Sequence, residues 1–97
     1  MTTEIYELTG FQRDLLYTIA GSDRSSGQVI RRELEDYMGR EITHGQLYPN
    51  LDTLVENDLT TKGQIDRRTN YYALSENGRV AIRRRREWED EHVPFLE

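Results

Sequence analysis

The sequence predicts a mostly helical α+β fold in the order helix, helix, helix, strand, strand, helix. Three observations predict it. Apolar residues recur at helical spacing in four windows, each opened by a Ser or Thr able to cap a helix. Between the third and fourth windows the pattern becomes Thr- and Tyr-rich, as in paired strands. All connections are short, and 97 residues make one small domain.

In the first window Thr9 and Gln12 form a capping box, Phe11, Leu15, Leu16 and Ile19 follow, and Gly21 is a stop. Residues 22–26 read as a polar turn. Ser25 with Gln28 is a second box, after which Val29, Ile30, Leu34, Tyr37 and Met38 line one face up to Gly39. Thr43 with Gln46 is a third box. Leu47, Leu51, Leu54 and Val55 then form an apolar stripe, which leaves Gln46, Pro49, Asn50 and Thr53 on the opposite face. Pro49 removes a backbone hydrogen bond, so the first turn of this helix is expected to be irregular. Leu59–Ile65 and Thr69–Leu74 read as a hairpin closed by Asp66, Arg67 and Arg68. Ser75 caps a last helix running through Arg79, Ala81 and Trp88 toward His92, with Pro94 beyond it.

Three helices followed by a hairpin match a winged helix-turn-helix, in which the third helix enters a DNA groove. Residues 1–75 form the winged, DNA-binding region. Residues 76–97 form a C-terminal dimerisation helix belonging to the same single domain.

Composition narrows the function. Cysteine is absent, which excludes disulfides, thiolate metal sites and thiol redox chemistry. No apolar run reaches membrane-spanning length and the first ten residues lack the layout of a signal peptide, so no membrane partner and a cytoplasmic location are expected. His44 and His92 are isolated, and neither a Gly-rich phosphate loop nor a carboxylate acid–base pair appears. The chain is therefore expected to be no enzyme, with no cofactor and no metal. Eighteen acidic residues oppose 13 basic ones, giving a net charge of −5. Of the basic set only Lys62 is lysine. Abundant Asp and Glu with almost no Lys is the balance of a halophilic proteome, where molar salt screens self-repulsion. An ordinary acidic interaction domain is the competing reading.

The run Gly45-Gln46-Leu47-Tyr48-Pro49-Asn50-Leu51, then Leu54 and Asp58-Leu59, is followed by Arg67-Arg68-Thr69-Asn70-Tyr71-Tyr72-Ala73-Leu74-Ser75-Glu76-Asn77-Gly78-Arg79. This pair of motifs resembles the PadR-like transcriptional regulators, over about residues 8–92. The lysine depletion is similar to that of the short forms in halophilic archaea and their viruses. Departures are a short wing, Ala73 before the Leu-Ser pair, Ser75 where Thr is commoner, and a single C-terminal helix that limits any effector module. The resemblance implies a homodimeric transcription regulator acting as a repressor.

Candidate DNA-binding residues follow from side-chain chemistry. Gln46 and Asn50 can pair with adenine in the major groove, and Thr53 can meet a thymine methyl or a phosphate. Thr43 and His44 stand near the helix start. Gln46 also has a purely structural use in its capping box, and Tyr48 serves equally as a phosphate ligand, as the resemblance implies, or as core filler. Arg67 and Arg68 at the wing tip suit phosphates or a narrow minor groove. Lys62 and Asn70 flank them on the strands. Ser25, Ser26 and Gln28 open the second helix, where backbone amides can hold a phosphate.

In the last helix, a basic block at residues 83–86 precedes acidic Glu87, Glu89, Asp90 and Glu91. Two antiparallel copies would lay Arg84 and Arg85 on Glu91. Ala81, Trp88 and Phe95, seven apart, would form the shared apolar edge. A homodimer implies a palindromic operator with half-sites about one DNA turn apart. Trp88 raises the lesser expectation of a small-molecule effector, since large aromatics at interfaces more often anchor packing. The reading is thus a sequence-specific regulator of double-stranded DNA. Its rival is a winged-helix protein-interaction module with no DNA binding of its own.

Overall fold

The four expected helices and both hairpin strands are present in the computed structural model, which describes residues 3–95. Residues 1, 2, 96 and 97 of the two expected spans lie outside the described residues. A short 3-10 turn, Ile5–Glu7, leads into α1, Gly10–Ala20. The Thr9 hydroxyl accepts the Gln12 N–H, and the Gln12 side chain accepts the Thr9 N–H, both at 3.1 Å. Such a cap contributes about 1 kcal/mol.

Residues 22–26 are more than a polar turn. Ser25–Ser26 form β1, which pairs antiparallel with β3, Asn70–Leu74, placing Ser25 opposite Tyr72 and Ser26 opposite Tyr71. Because the sheet takes Ser25 inward, the cap of α2, Gly27–Met38, moves one residue on. The Ser26 hydroxyl accepts the Val29 N–H at 3.3 Å, and the Ser25–Gln28 box is not formed. Tyr37 also leaves the expected apolar face and is 78% exposed, while Met38 makes the last core contact of α2.

Gly39 adopts a left-handed conformation, φ 69°, that ends α2. Glu35 Oε2 accepts the Ile42 N–H at 2.8 Å, fixing the turn into α3, His44–Glu56. Thr43 caps α3 by accepting the Gln46 N–H at 3.1 Å, but only that half of the expected box forms. Gln46 Oε1 accepts from Arg40 instead, at 3.4 Å. The helix runs unbroken through Pro49. The missing bond would have gone to the carbonyl of Gly45, an exposed residue, where water can replace it.

α3 ends in a Schellman turn: the Asp58 N–H donates to Val55 O and the Leu59 N–H to Leu54 O, both at 3.0 Å. Asp58 takes the left-handed position, φ 60°, that glycine usually fills. Strand β2, Thr60–Gln64, then pairs with β3 in the order β1-β3-β2, with Lys62 opposite Tyr72. Ser75 caps α4, Glu76–His92, and ties it to the turn after α3. Its hydroxyl accepts the Gly78 N–H at 2.9 Å and donates to Asp58 O at 2.6 Å.

One core joins these elements. Leu15, Leu16 and Ile19 of α1, Ile30 and Leu34 of α2, and Leu47, Leu51 and Leu54 of α3 pack with Leu59 and the ring of Tyr72. None of the described helices is long and apolar enough to cross a membrane.

Candidate nucleic-acid interface

The outward stripe of α3 shares only Pro49 with the one expected. His44, Gly45, Pro49, Asp52 and Glu56 are exposed, whereas Gln46, Asn50 and Thr53 are half-buried. The reason is rotational. At 100° per residue, Leu47, Leu51 and Leu54 define the core direction, and Pro49, Asp52 and Gly45 fall nearly opposite. Asn50 lies on the core-side flank. Its Oδ1 accepts from Gln12 Nε2 at 3.0 Å and its Nδ2 donates to Gln46 O at 2.6 Å. That amide ties α3 to α1, so the expected free adenine reader is largely occupied. The Thr53 hydroxyl donates to Pro49 O at 3.0 Å. His44 meets the Tyr48 ring edge-on, centroids 5.3 Å apart.

The wing stands beside this helix. Lys62 Nζ lies 3.6 Å from Asp52 Oδ1, joining β2 to the outward stripe of α3. Such a surface pair adds little stability, but it offsets a carboxylate on the outward stripe. Arg67 and Arg68 are exposed at the tip. Asp66 shapes that tip: its Oδ1 accepts the Arg68 N–H at 2.9 Å and the Thr69 N–H at 3.0 Å. Donation from the Arg68 backbone holds the Asp66 carboxyl below its ordinary range. A depressed carboxylate supports the turn above its unfolded pKa and loses that contribution as pH falls through the lower, folded value. The Arg68 and Thr69 amide resonances are therefore expected to be constant from pH 7 to 5 and to move together below about pH 4. Independent shifts, or none down to pH 2.5, would refute this account of the tip.

A cleft of about 260 Å³ separates the wing from the start of α2. Gln28, Tyr48, Arg68 and Asn70 line it, joined by Ser26 and Gly27. Ser25 is buried outside it, its hydroxyl 2.5 Å from that of Ser22, so it is not available as one of the expected phosphate contacts. Tyr48 crosses directly over Gly27. A β-carbon at residue 27 would fall 2.8 Å from Tyr48 Oη.

The last helix also departs from expectation. Ala81 is buried in its own core rather than on a free edge. Phe95, 77% exposed, lies beyond the end of α4, so Ala81, Trp88 and Phe95 do not form one helical edge. Trp88 is 48% exposed, with the Arg85 guanidinium 4.5 Å from its ring centroid and the His92 ring at 4.5 Å. Arg85 also pairs with Glu89 at 3.8 Å, and Arg84 with Glu4 at 3.8 Å, while Glu91 is exposed.

Helix pattern, hairpin and sheet order define a winged helix-turn-helix protein. Residues 15–84 match the model of the transcriptional regulator PadR-like family. The chain belongs to the PadR-like family of transcriptional regulators. RosR of H. salinarum, in crystals grown from NaBr, is similar at 43% identity and TM-score 0.86, over 92% of this chain and 80% of that one. A complex structure of hsRosR-SG matches at 42% identity and TM-score 0.87, covering 93% and 80%. A winged-helix DNA-binding protein from STIV shares the fold at 18% identity and TM-score 0.71, covering 89% and 95%. No curated protein sequence matches.

Asp52 on the outward stripe, and Gly27 and Tyr72 in the lining of the cleft, were not among the expected residues. Asp52 was legible, since it lies seven residues after exposed Gly45 and three after Pro49. Gly27 and Tyr72 depend on a tertiary approach that carries no local signal.

Proposed function

We propose that the chain is a sequence-specific regulator of double-stranded DNA that acts as a homodimeric repressor in a high-salt cytoplasm. The observation that carries this reading is an uncovered stripe on α3, His44 to Glu56, flanked by an arginine-tipped wing. α3 enters the major groove, with Gln46 and Thr53 at its flanks and His44 and Thr43 at its leading end. The wing lays Arg67 and Arg68 on backbone or minor groove, and Lys62 keeps Asp52 from opposing the phosphates. Identity above 40% with RosR of H. salinarum supports the high-salt setting.

Pairing of two copies uses α4, where Trp88 and Phe95 leave apolar surface exposed and Arg84, Arg85 and Glu91 supply opposite charges. Dimerisation implies a palindromic operator with half-sites about one turn apart. Arg85 and His92 already stack on Trp88, which favours an interface anchor over the wall of an effector site.

Selection of bound duplexes from random sequence in molar salt tests the reading. A palindrome is expected to be enriched, and the double substitution Arg67→Ala with Arg68→Ala to weaken binding on the order of tenfold or more. Equal retention of every duplex, with both arginines dispensable, would favour the protein-interaction module.

A further inference from the structure

We infer that Gln12, on α1, is a positioning residue that sets base preference in α3: without touching DNA, it holds the leading turn of that helix through Asn50. The inference rests on the DNA-binding reading and adds to it a determinant of specificity. The Gln12 side chain joins two helices at once. Its Oε1 accepts the Thr9 N–H at 3.1 Å, and its Nε2 donates to Asn50 Oδ1 at 3.0 Å. Asn50 Nδ2 in turn donates to Gln46 O at 2.6 Å. The result is a one-way chain of hydrogen bonds from a backbone N–H, through two side-chain amides, to a backbone carbonyl. The Thr9 N–H can only donate and Gln46 O can only accept, so both amides have a single orientation. Turning either one over would set donor against donor and acceptor against acceptor.

This chain of bonds supplies what the core does not. Leu47, Leu51 and Leu54 hold α3 by apolar burial, which is non-directional and yields to small rotations about the helix axis. Hydrogen bonds are directional, and both amides are half-buried, where a lost partner is costly. The turn they hold, Gln46 to Asn50, brackets Pro49, which has no N–H to give to the turn before it. Thr43, His44 and Gln46, the proposed readers, stand on or beside that turn. Groups that read a partner must be held to about 0.5 Å. A reversed or broken bond at Gln12 would therefore reach the bases as a displaced Gln46, while the wing arginines keep their place on the backbone. Gln12 thereby acts on recognition of sequence and leaves the general attraction to DNA alone.

Gln12→Glu isolates the effect. Glutamate serves a capping box as glutamine does, and a carboxylate in the first turn of α1 is favourable, so Tm should hold. The variant lacks only the Nε2 donor for Asn50. The full chain in molar KCl is titrated against two fluorescein-labelled duplexes, the selected site and a scrambled one of equal composition. Gln12→Glu should bind the selected duplex about tenfold more weakly. Its affinity for the scrambled duplex, held by phosphate contacts, should stay within about twofold of wild type. Gln12→Met, which adds no charge, should show the same lost preference. In an Asn50→Ala background Gln12→Glu should have no further effect on either duplex, because the route through Asn50 is already cut. An unchanged preference in either Gln12 variant overturns the inference while leaving DNA binding intact. So does an equal loss on both duplexes, the mark of a merely structural or charge effect, or a loss that persists in the Asn50→Ala background. Wild-type protein that prefers no duplex overturns the proposed function, and this role with it.

Discussion

Gly78→Ala is expected to destabilise the fold more than any other single-methyl change in the chain. A β-carbon at residue 78 would overlap the Leu59 carbonyl oxygen and fall 2.7 Å from Leu74 Cδ1. The first obstacle is backbone and cannot swing aside. Leu59 is also held by the Schellman turn that ends α3, through its N–H to Leu54 O, and its carbonyl accepts the Ser75 N–H at 3.1 Å. Relief would require α4 to back away from β2, breaking the Ser75 bonds to Asp58 and Leu59. Overpacking of this kind costs about 3 kcal/mol or more, which in a domain of this size lowers Tm by roughly 12–24 °C. Gly10→Ala is the control, since nothing lies within 4 Å of its β-carbon position. Thermal melts followed by circular dichroism compare the two. Equal Tm values for Gly78→Ala and wild type would show that the approach of α4 to Leu59 is looser than described.

Gly45→Glu is expected to weaken specific DNA binding strongly while leaving the protein folded. Gly45 lies in the first turn of α3, on the outward stripe, and the nearest atom to a β-carbon at this position would be Thr43 Oγ1, at 3.9 Å. A side chain here meets no protein. Replacing a helical glycine removes a penalty of up to about 1 kcal/mol, and a carboxylate near a helix N-terminus is favourable, so Tm should hold or rise. In the groove the same carboxylate faces the phosphate field and the acceptor-rich edges of purines. Loss of about a hundredfold in affinity for the selected duplex is expected, a larger effect than losing one or both wing arginines. A variant that folds normally and binds that duplex like wild type would remove α3 from the groove. The rival reading as a protein-interaction module would then be the stronger one.

Much of this molecule was legible in its residues. Thr9 with Gln12, Gly39, and Ser75 before Gly78 act over three or four positions, and each places its helix end where local hydrogen bonding demands. The Leu47, Leu51 and Leu54 stripe points α3 into the core for the same reason, because side-chain direction along a helix follows from residue count alone. Asn50 departs from expectation within that frame. Its angle lies nearer the core than the solvent, and its partner Gln12 is on another helix.

The chain's own pattern thus determined the helices, their caps, the hairpin and the family motif, since these rest on interactions between near neighbours. Only the tertiary structure decided that Ser25 joins β3 and hands its cap to Ser26, that Ala81 belongs to the core, and that Tyr72 lines the cleft beside the start of α2. Each of these depends on segments distant in sequence meeting in space, and a packed core chooses those meetings by shape, which no local spacing records.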